Sequence, residues 1–548
     1  MCDMLSIINR PTNIQFSCAE PERNVQCANR KAKCMNGAES LVATLVASGV
    51  EVCFANPGTS EMHIVAALDK TPEIRSVLAL FEGVVAAAAD GYARMAERPA
   101  STLLHLGPGL ANGLANLHNA GRAHVPIVNI VGQHALPHLK YDPPLASDIE
   151  GIARPYSNWL RTSRAAEEIG PDTTEAIVAA RTPPGKIATL IVPADAAWSD
   201  GGAAGKLPVV PTAPMPAQAS IDRAAGILRS LEPTALLVAG HALYGEGLSL
   251  AGRIARAANA KLFAPYPFTR LERGAGRPPV QRIHYILEQA TDQLREFRHM
   301  ILVGTPPPVS YFAYPGKKPF PMSDGCEVHM LAAAEEDCLG ALRAIVDALH
   351  AQKAGVPADA VQRPAAPRGE ITLPGLAAAV GAALPENAIV VDESMTSGRG
   401  MMAATATAPP HDFLANTGGS IGIAMPLAAG AAVACPERPV LCLSADGSGM
   451  YTLQALWTMA RESLRVTTVI FANRTYGVLK REFGGLGLGT PGRRALDLFE
   501  IDRPDLDWVR LAQGMGVPAS RANSLEEFTK LLTAGFESGG PALIEVKL

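Results

Sequence analysis

The sequence predicts an α/β protein built from three consecutive doubly wound parallel-sheet domains. Three observations predict it. The chain has 548 residues, and at roughly 100–200 residues per domain that length calls for about three cores. Short apolar runs alternate with longer helical patterns, the order that builds a parallel sheet covered on both faces. Two proline-rich stretches, 205–218 and 355–369, divide this alternation into three units of similar kind.

From Met35 the pattern is regular. Residues 36–49 place Leu41, Leu45 and Val46 on one stripe and read as a helix. The apolar run 50–55 meets the turn Asn56-Pro57-Gly58, and a second helix follows over 60–69. Residues 77–81 read as a strand and 82–96 as an alanine-rich helix; 101–106, 127–131 and 187–192 read as further strands. In the second unit a strand over 235–239 runs into Gly240, then come a helix over 245–258 and a strand over 300–303. The third unit starts near Leu373, with strands over 388–391, 440–443 and 467–471 and a helix over 453–460. The units therefore run 35–205, 219–350 and 370–548, and residues 1–34 form a polar, flexible extension ahead of them.

Composition narrows the function classes. Hydrophobic residues are 48 % and charged residues 18 %, which suits large buried cores rather than disorder. A net charge of −4 and an aromatic share of 5 % argue against broad nucleic-acid binding. No run of 18 apolar residues appears, so no membrane span is expected. Residues 1–34 lack the apolar stretch of a secretory signal. Cys53, Cys326, Cys338, Cys435 and Cys442 sit in or near apolar runs and read as buried thiols. Cys2, Cys18, Cys27 and Cys34 match no zinc spacing, and an odd total does not suggest a disulfide framework. A reducing, cytoplasmic compartment is the expectation.

The strongest chemical signal lies in the third unit. The strand-like run Val-Leu-Cys-Leu-Ser leads into Ala445-Asp446-Gly447-Ser448-Gly449, and the next strand leads into Asn473-Arg474-Thr475. Each motif sits at the carboxyl end of a parallel strand, where open α/β sheets collect ligands. A hard divalent cation wants oxygen ligands and often shares phosphate oxygens. Asp446 offers charge, Asn473 an amide oxygen and Thr475 a main-chain carbonyl. Gly447 and Ser448 let backbone N–H groups and a helix N-terminus approach a diphosphate. Alone, Asp-Gly-Ser is an ordinary turn; the paired Asn after the next strand raises it above that.

These residues resemble the metal motif of the thiamine diphosphate (ThDP)-dependent 2-oxo acid decarboxylase and acetolactate synthase superfamily. Ala445 and Ala472 stand where that motif has Gly and Asn, while both metal-ligating positions are kept. The resemblance runs from about Met35 to Leu548. It implies a pyrimidine-binding, a central and a diphosphate-binding domain, with ThDP and Mg²⁺ as cofactors. By the same resemblance Glu82, which opens the segment holding Ala89-Asp90-Gly91-Tyr92-Ala93, hydrogen-bonds N1′ of the aminopyrimidine. Protonation there favours the imino form that can take the weakly acidic C2 proton. Ile421, in Thr417-Gly418-Gly419-Ser420-Ile421-Gly422, would prop the cofactor into a V shape. Ser397, in Asp392-Glu393-Ser394-Met395-Thr396-Ser397, would contact the diphosphate. Glu82 and the metal residues lie on different domains; in the family they meet across a subunit interface, which implies a homodimer or homotetramer.

Local matches favour the benzoylformate decarboxylase branch. Asn56-Pro57-Gly58-Thr59-Ser60-Glu61 is similar to its substrate loop and puts Thr59 where a carboxylate-binding serine stands. His105 stands where that branch has an active-site histidine; the bland alternative is a core histidine at a strand end. Val478 and Leu479 would line the substrate pocket. The branch has a second histidine in the central domain. The matching stretch here, Pro308-Val309-Ser310-Tyr311-Phe312-Ala313-Tyr314, has none, and Phe312 or a neighbour would leave the site more apolar and short of a proton donor. Acetolactate synthases carry a central segment that helps hold FAD, and Gly304-Thr305-Pro306-Pro307-Pro308 lacks it, so FAD is allowed by the resemblance but unsupported. The resemblance thus implies a decarboxylase or carboligase on a small 2-oxo acid, acetolactate synthase-like overall. The alternatives are a benzoylformate decarboxylase-like lyase and a non-catalytic ThDP-fold binding protein. A dinucleotide-binding oxidoreductase is weaker, since Gly240-His241-Ala242-Leu243-Tyr244-Gly245 is not the usual fingerprint.

Overall fold

The computed structural model describes residues 35–356 and 358–548. The expected extension over 1–34, with Cys2, Cys18, Cys27 and Cys34, lies outside the described residues.

The first unit holds a sheet of six strands: β1 (Val52–Asn56), β2 (Arg75–Leu78), β3 (Ala100–Leu104), β4 (Ile127–Gln133), β5 (Trp159–Thr162) and β6 (Ile187–Pro193). They lie in the order β2-β1-β3-β4-β6-β5, and every pairing is parallel. The inner strands are buried apolar runs because helices cover both faces. Strand β5 is absent from the sequence reading for a physical reason. Its Trp-Leu-Arg-Thr lies half-buried beside the edge-directed face of β6 and carries no apolar run.

Further along are β7 (Thr234–Val238), β8 (Lys261–Ala264), β9 (Arg270–Arg273), β10 (Gln281–Arg282), β11 (His299–Val303) and β12 (Glu327–Ala332). The last group is β13 (Ile389–Glu393), β14 (His411–Ala415), β15 (Val440–Ala445), β16 (Val466–Ala472), β17 (Ala519–Ala522) and β18 (Ala542–Lys547). Five strands form a parallel central sheet, ordered β10-β8-β7-β11-β12. The third sheet runs β9-β14-β13-β15-β16-β18-β17. Here β9 departs from the expected parallel pattern: it leaves the central stretch and pairs antiparallel with β14, capping that edge. Covering an edge in this way removes a row of open N–H and C=O groups.

In the first sheet the chain leaves β1 toward β2 on one side and β3 on the other; in the third it leaves β13 toward β14 and β15. The carboxyl ends of these strands are the switch points where open α/β sheets take ligands.

Three helices set the distances between those points: α1 (Glu82–Ala96), α2 (Leu106–Arg122) and α3 (Ala424–Ala434). Helix α1 is buried except at Ala96, and it packs against α3 in a core shared by the first and third units. A Cβ at Gly91 would collide with the Leu427 carbonyl, and one at Gly430 with the Ala88 carbonyl. These pairings run in opposite directions, so α1 and α3 are antiparallel and touch backbone to backbone. Arg94, fully buried, locks one end of the seam. It pairs with Asp90 (2.7 Å) and donates to the carbonyls of Ala415 (2.7 Å) and Thr269 (3.0 Å) and to the Thr417 hydroxyl (3.2 Å). The seam leaves no room for a methyl group. Gly91→Ala is therefore expected to destabilise the protein by about 1–3 kcal/mol, the usual cost of overpacking, measured as a lower midpoint in denaturant unfolding.

The described cysteines are free thiols; Cys53 and Cys442 are buried, whereas Cys326, Cys338 and Cys435 are only half-buried. Among the described residues no helix is long and apolar enough to cross a membrane.

Candidate active site

Asp446 follows β15 and opens a short helical turn, Asp446–Gly449. Its carboxylate is nearly inaccessible and has backbone partners: Gly447 N donates to Oδ1 (2.9 Å) and Arg474 N to Oδ2 (2.7 Å). Asn473 and Thr475 flank the second donor, so the chain after β16 wraps around Asp446. Arg474 takes a left-handed φ of 55°, unusual for a long side chain, to make that wrap. Asn473 Oδ1 accepts from Thr475 N (3.1 Å), and Asn473 Nδ2 lies 3.4 Å from Thr396 Oγ1. That contact ties the turn holding Ser397, itself buried after β13, to the same edge. Gly447 faces the Tyr476 ring, which a Cβ would meet at 2.7 Å. The structure thus brings Asp446, Gly447, Ser448, Asn473, Thr475 and Ser397 to one switch point.

This donor set fits a hard divalent cation: a carboxylate, an amide oxygen and a main-chain carbonyl, all oxygen. Burial pushes the Asp446 carboxyl above its usual range, against the pull of its backbone donors. Among the described residues no cationic side chain forms an ion pair with Asp446. Arg474's charge also draws the carboxyl down, and a bound cation would add to it.

Ile421 reaches this edge on a loop fastened from several sides. Thr452 Oγ1 donates to the Gly422 carbonyl (2.5 Å). Asn119, on α2, donates to the Ser420 carbonyl (2.8 Å) and accepts from Ser420 N (3.1 Å). Glu393, at the end of β13, accepts from Gly422 N (3.0 and 3.2 Å), Ala424 N (3.1 Å) and Asn416 Nδ2 (3.1 Å). Sequence reading quotes Glu393 but gives it no role, because its partners lie more than twenty residues away.

Burial pushes the Glu393 carboxyl up to about 7, and its N–H donors oppose the rise. A free glutamate titrates near 4.3, so between those values the folded chain holds a proton that the unfolded chain has released. The stability this proton supplies is complete below about pH 4 and falls as pH rises through about 7, by at most about 1.4 kcal/mol per unit. Glu393→Gln is expected to flatten that slope. Urea unfolding at pH 5 and pH 7 of both proteins checks it.

The second group of residues lies on the first unit. Glu82 begins α1 and is buried. Asn112 Nδ2 donates to Oε2 (3.0 Å), while Oε1 lies over Gly109 and no described protein donor reaches it. His105 follows β3, and Leu106 after it adopts φ 54°, a strained turn of the kind that recurs at functional sites. A Cβ on Gly109 would meet Glu82 Oε1 at 3.1 Å and His105 Cβ at 3.4 Å, so one glycine spaces the two side chains. Thr59 is exposed on the turn after β1, next to Gly58, whose open face receives the His105 ring. The first-sheet switch point therefore brings Glu82, His105 and Thr59 to one edge.

Glu61 completes this edge and is missed by the sequence reading, although it ends the quoted Asn-Pro-Gly loop. It is fully buried, and its Oε2 bonds His105 Nδ1 (2.8 Å) and Gly58 N (2.7 Å). Oε1 has no hydrogen-bond partner among the described residues and presses on Gly132. Burial raises the Glu61 carboxyl, against its backbone and His105 bonds. The carboxylate fixes the imidazole's orientation and selects which nitrogen faces the open site.

Asn119 donates both to the Ser420 carbonyl (2.8 Å) and to Asn116 Oδ1 (2.9 Å), and Asn116 donates to the Gly83 carbonyl (2.8 Å), so hydrogen bonds through α2 tie the Ile421 loop to the start of α1. Glu82 lies on the first unit and Asp446 on the third.

The chain belongs to the thiamine pyrophosphate enzymes: the N-terminal TPP binding domain of that family matches residues 35–152 and its C-terminal TPP binding domain matches residues 396–546. It is 52 % identical over 515 residues to the Mycobacterium tuberculosis protein named "Putative acetolactate synthase large subunit IlvX", covering 93 % of this chain and 99 % of that one. It is 28 % identical over 524 residues to the benzoylformate decarboxylase of Pseudomonas aeruginosa, covering 91 % and 96 %. The fold is shared with the solved thiamine diphosphate-dependent 4-hydroxybenzoylformate decarboxylase of Rhodococcus jostii RHA1, with a TM-score of 0.80, 23 % identity and coverage of 94 % and 99 %.

Proposed function

We propose that the protein is a ThDP- and Mg²⁺-dependent decarboxylase or carboligase acting on a small 2-oxo acid, acetolactate synthase-like overall. Residues 35–205, 219–350 and 370–548 then serve as pyrimidine-binding, central and diphosphate-binding domains. One observation carries the reading: the buried Asp446 carboxylate accepts from the backbone of Gly447 and Arg474 and forms no ion pair among the described residues. Asp446, Asn473 and the Thr475 carbonyl would hold Mg²⁺, with the backbone at Gly447 and Ser448 against the diphosphate. Bound ThDP supplies a carbon nucleophile for the oxo carbon and takes up the electrons freed when CO₂ leaves.

The chain's own residues do the rest. Glu82 Oε1 is the free acceptor that would engage the aminopyrimidine and hold or release its proton. Ile421 would pack against the bound cofactor and help preorganise it. His105, oriented by Glu61, and Thr59 face the place where a substrate carboxylate would lie. A homodimer or homotetramer would join the Glu82 half of one copy to the Asp446 half of another. The His105 and Thr59 edge also favours a benzoylformate decarboxylase-like lyase as a second reading.

The test is direct. Purified protein with ThDP and Mg²⁺ is given a panel of 2-oxo acids that includes pyruvate and benzoylformate, while CO₂ release and product masses are followed. Release with an aldehyde product supports a lyase, and release with a coupled hydroxyketone supports a carboligase. No release from any member would count against catalysis on this class.

A further inference from the structure

Three asparagines share one face of α2. Asn112, Asn116 and Asn119 are spaced four and three residues apart, the interval that stacks side chains along a helix. Each grips a different part of the site. Asn112 Nδ2 donates to Glu82 Oε2 (3.0 Å). Asn116 Nδ2 donates to the Gly83 carbonyl (2.8 Å), one residue along α1. Asn119 Nδ2 donates to Asn116 Oδ1 (2.9 Å) and to the Ser420 carbonyl (2.8 Å), and its Oδ1 accepts from Ser420 N (3.1 Å). Thr417 Oγ1 donates to the Asn119 carbonyl (2.7 Å), and a Cβ on Gly418 would meet Asn119 Oδ1 at 2.5 Å, so the loop lies directly on this side chain. Asn116 and Asn119 are 3 % and 0 % exposed.

We infer that Asn116 is a positioning residue for Glu82: its amide fixes the first turn of α1, and Asn119 fixes that amide against the loop carrying Ile421. This rests on the proposed role of Glu82 toward the cofactor. Asparagine is a poor helix former, and leucine would fill an interior helix face at lower cost, so two buried amides here need a reason beyond packing. The Gly83 carbonyl lies in the first turn of α1, where helical geometry already gives it the N–H four residues on. The Asn116 bond is additional and holds the helix from outside. Neither amide can turn over without loss. Asn119 meets the N–H and the C=O of Ser420 with its own oxygen and nitrogen, which sets the orientation of its amide, and the N–H it gives Asn116 sets the next one. Glu82 thus has its backbone tied by Asn116 and one carboxylate oxygen by Asn112, which leaves Oε1 for the cofactor. A proton-transferring group needs such a fixed direction, because a misplacement of about 1 Å can cost roughly a hundredfold in rate.

The experiment compares wild type with Asn116→Leu, Asn116→Ala and Asn116→Gln. Leucine matches the bulk of the amide without its polar atoms, alanine removes both and stands in should the leucine variant not fold, and glutamine keeps a donor and an acceptor. For each protein, H/D exchange at C2 of bound ThDP is followed by NMR at saturating ThDP and Mg²⁺, and the Kd for ThDP is measured by titration. The expected result is exchange slower by at least about tenfold in Asn116→Leu and Asn116→Ala, a Kd within about twofold of wild type, and partial recovery of exchange in Asn116→Gln. Wild-type exchange in both Asn116→Leu and Asn116→Ala would overturn the assignment. So would a loss of exchange matched by an equal loss of ThDP affinity, which would make Asn116 a packing residue of the fold. Absence of C2 exchange in the wild type would overturn the cofactor reading itself, and this inference with it.

Discussion

Glu82→Gln is expected to slow C2 proton exchange of bound ThDP by roughly 10²–10⁴-fold, the range usually lost with a positioned acid–base group. The substitution is nearly isosteric. A glutamine oxygen can still accept from Asn112, whose amide lies 3.0 Å from Glu82 Oε2. What disappears is the carboxylate facing Gly109, the atom with no protein donor. A factor of 10²–10⁴ is about 3–5 kcal/mol in the barrier. The charge at the start of α1 contributes to stability only about 0.3–1 kcal/mol through the helix dipole. The kinetic loss should therefore far exceed any change in melting temperature. Stopped-mixing NMR in D₂O measures the first and a thermal melt the second. Equal exchange in both proteins would rule out Glu82 as the cofactor's proton partner.

Asp446→Asn is expected to abolish the thermal stabilisation that ThDP with Mg²⁺ gives the wild type. At a ligand concentration about 100 times its Kd that stabilisation is about 2.7 kcal/mol. Asparagine keeps the shape and one acceptor for the Gly447 or Arg474 N–H, but it removes the only formal charge of the donor set. A neutral cage of carbonyl oxygens holds Mg²⁺ poorly, because the ion gives up its water reluctantly. Chelating the metal from the wild-type protein should reproduce the same loss. A thermal shift that survives both treatments would mean the cation sits elsewhere.

Local signals made part of this legible in the sequence. The helices over 82–96 and 245–258 occur over the residues their periodicity marks, because an apolar run and a turn residue frame each one. Asp446 and Asn473 could be paired because each follows a strongly apolar strand, and neighbouring parallel strands end at the same edge. Glu61 and Glu393 are not legible as site residues. Each gains its meaning from a partner brought close only by folding: His105 for Glu61, the 416–424 loop for Glu393. The same holds for β9. Nothing in Arg-Leu-Glu-Arg announces that this strand will cross to another sheet, since the deciding contact is with β14.

The backbone-to-backbone seam of α1 and α3 has one more effect. If a second copy completes each half-site, two reaction centres arise, and every copy contributes to both. Within each copy the two helices cannot slide past one another without Gly91 and Gly430 leaving the backbone they touch, so a shift of one helix carries the other with it.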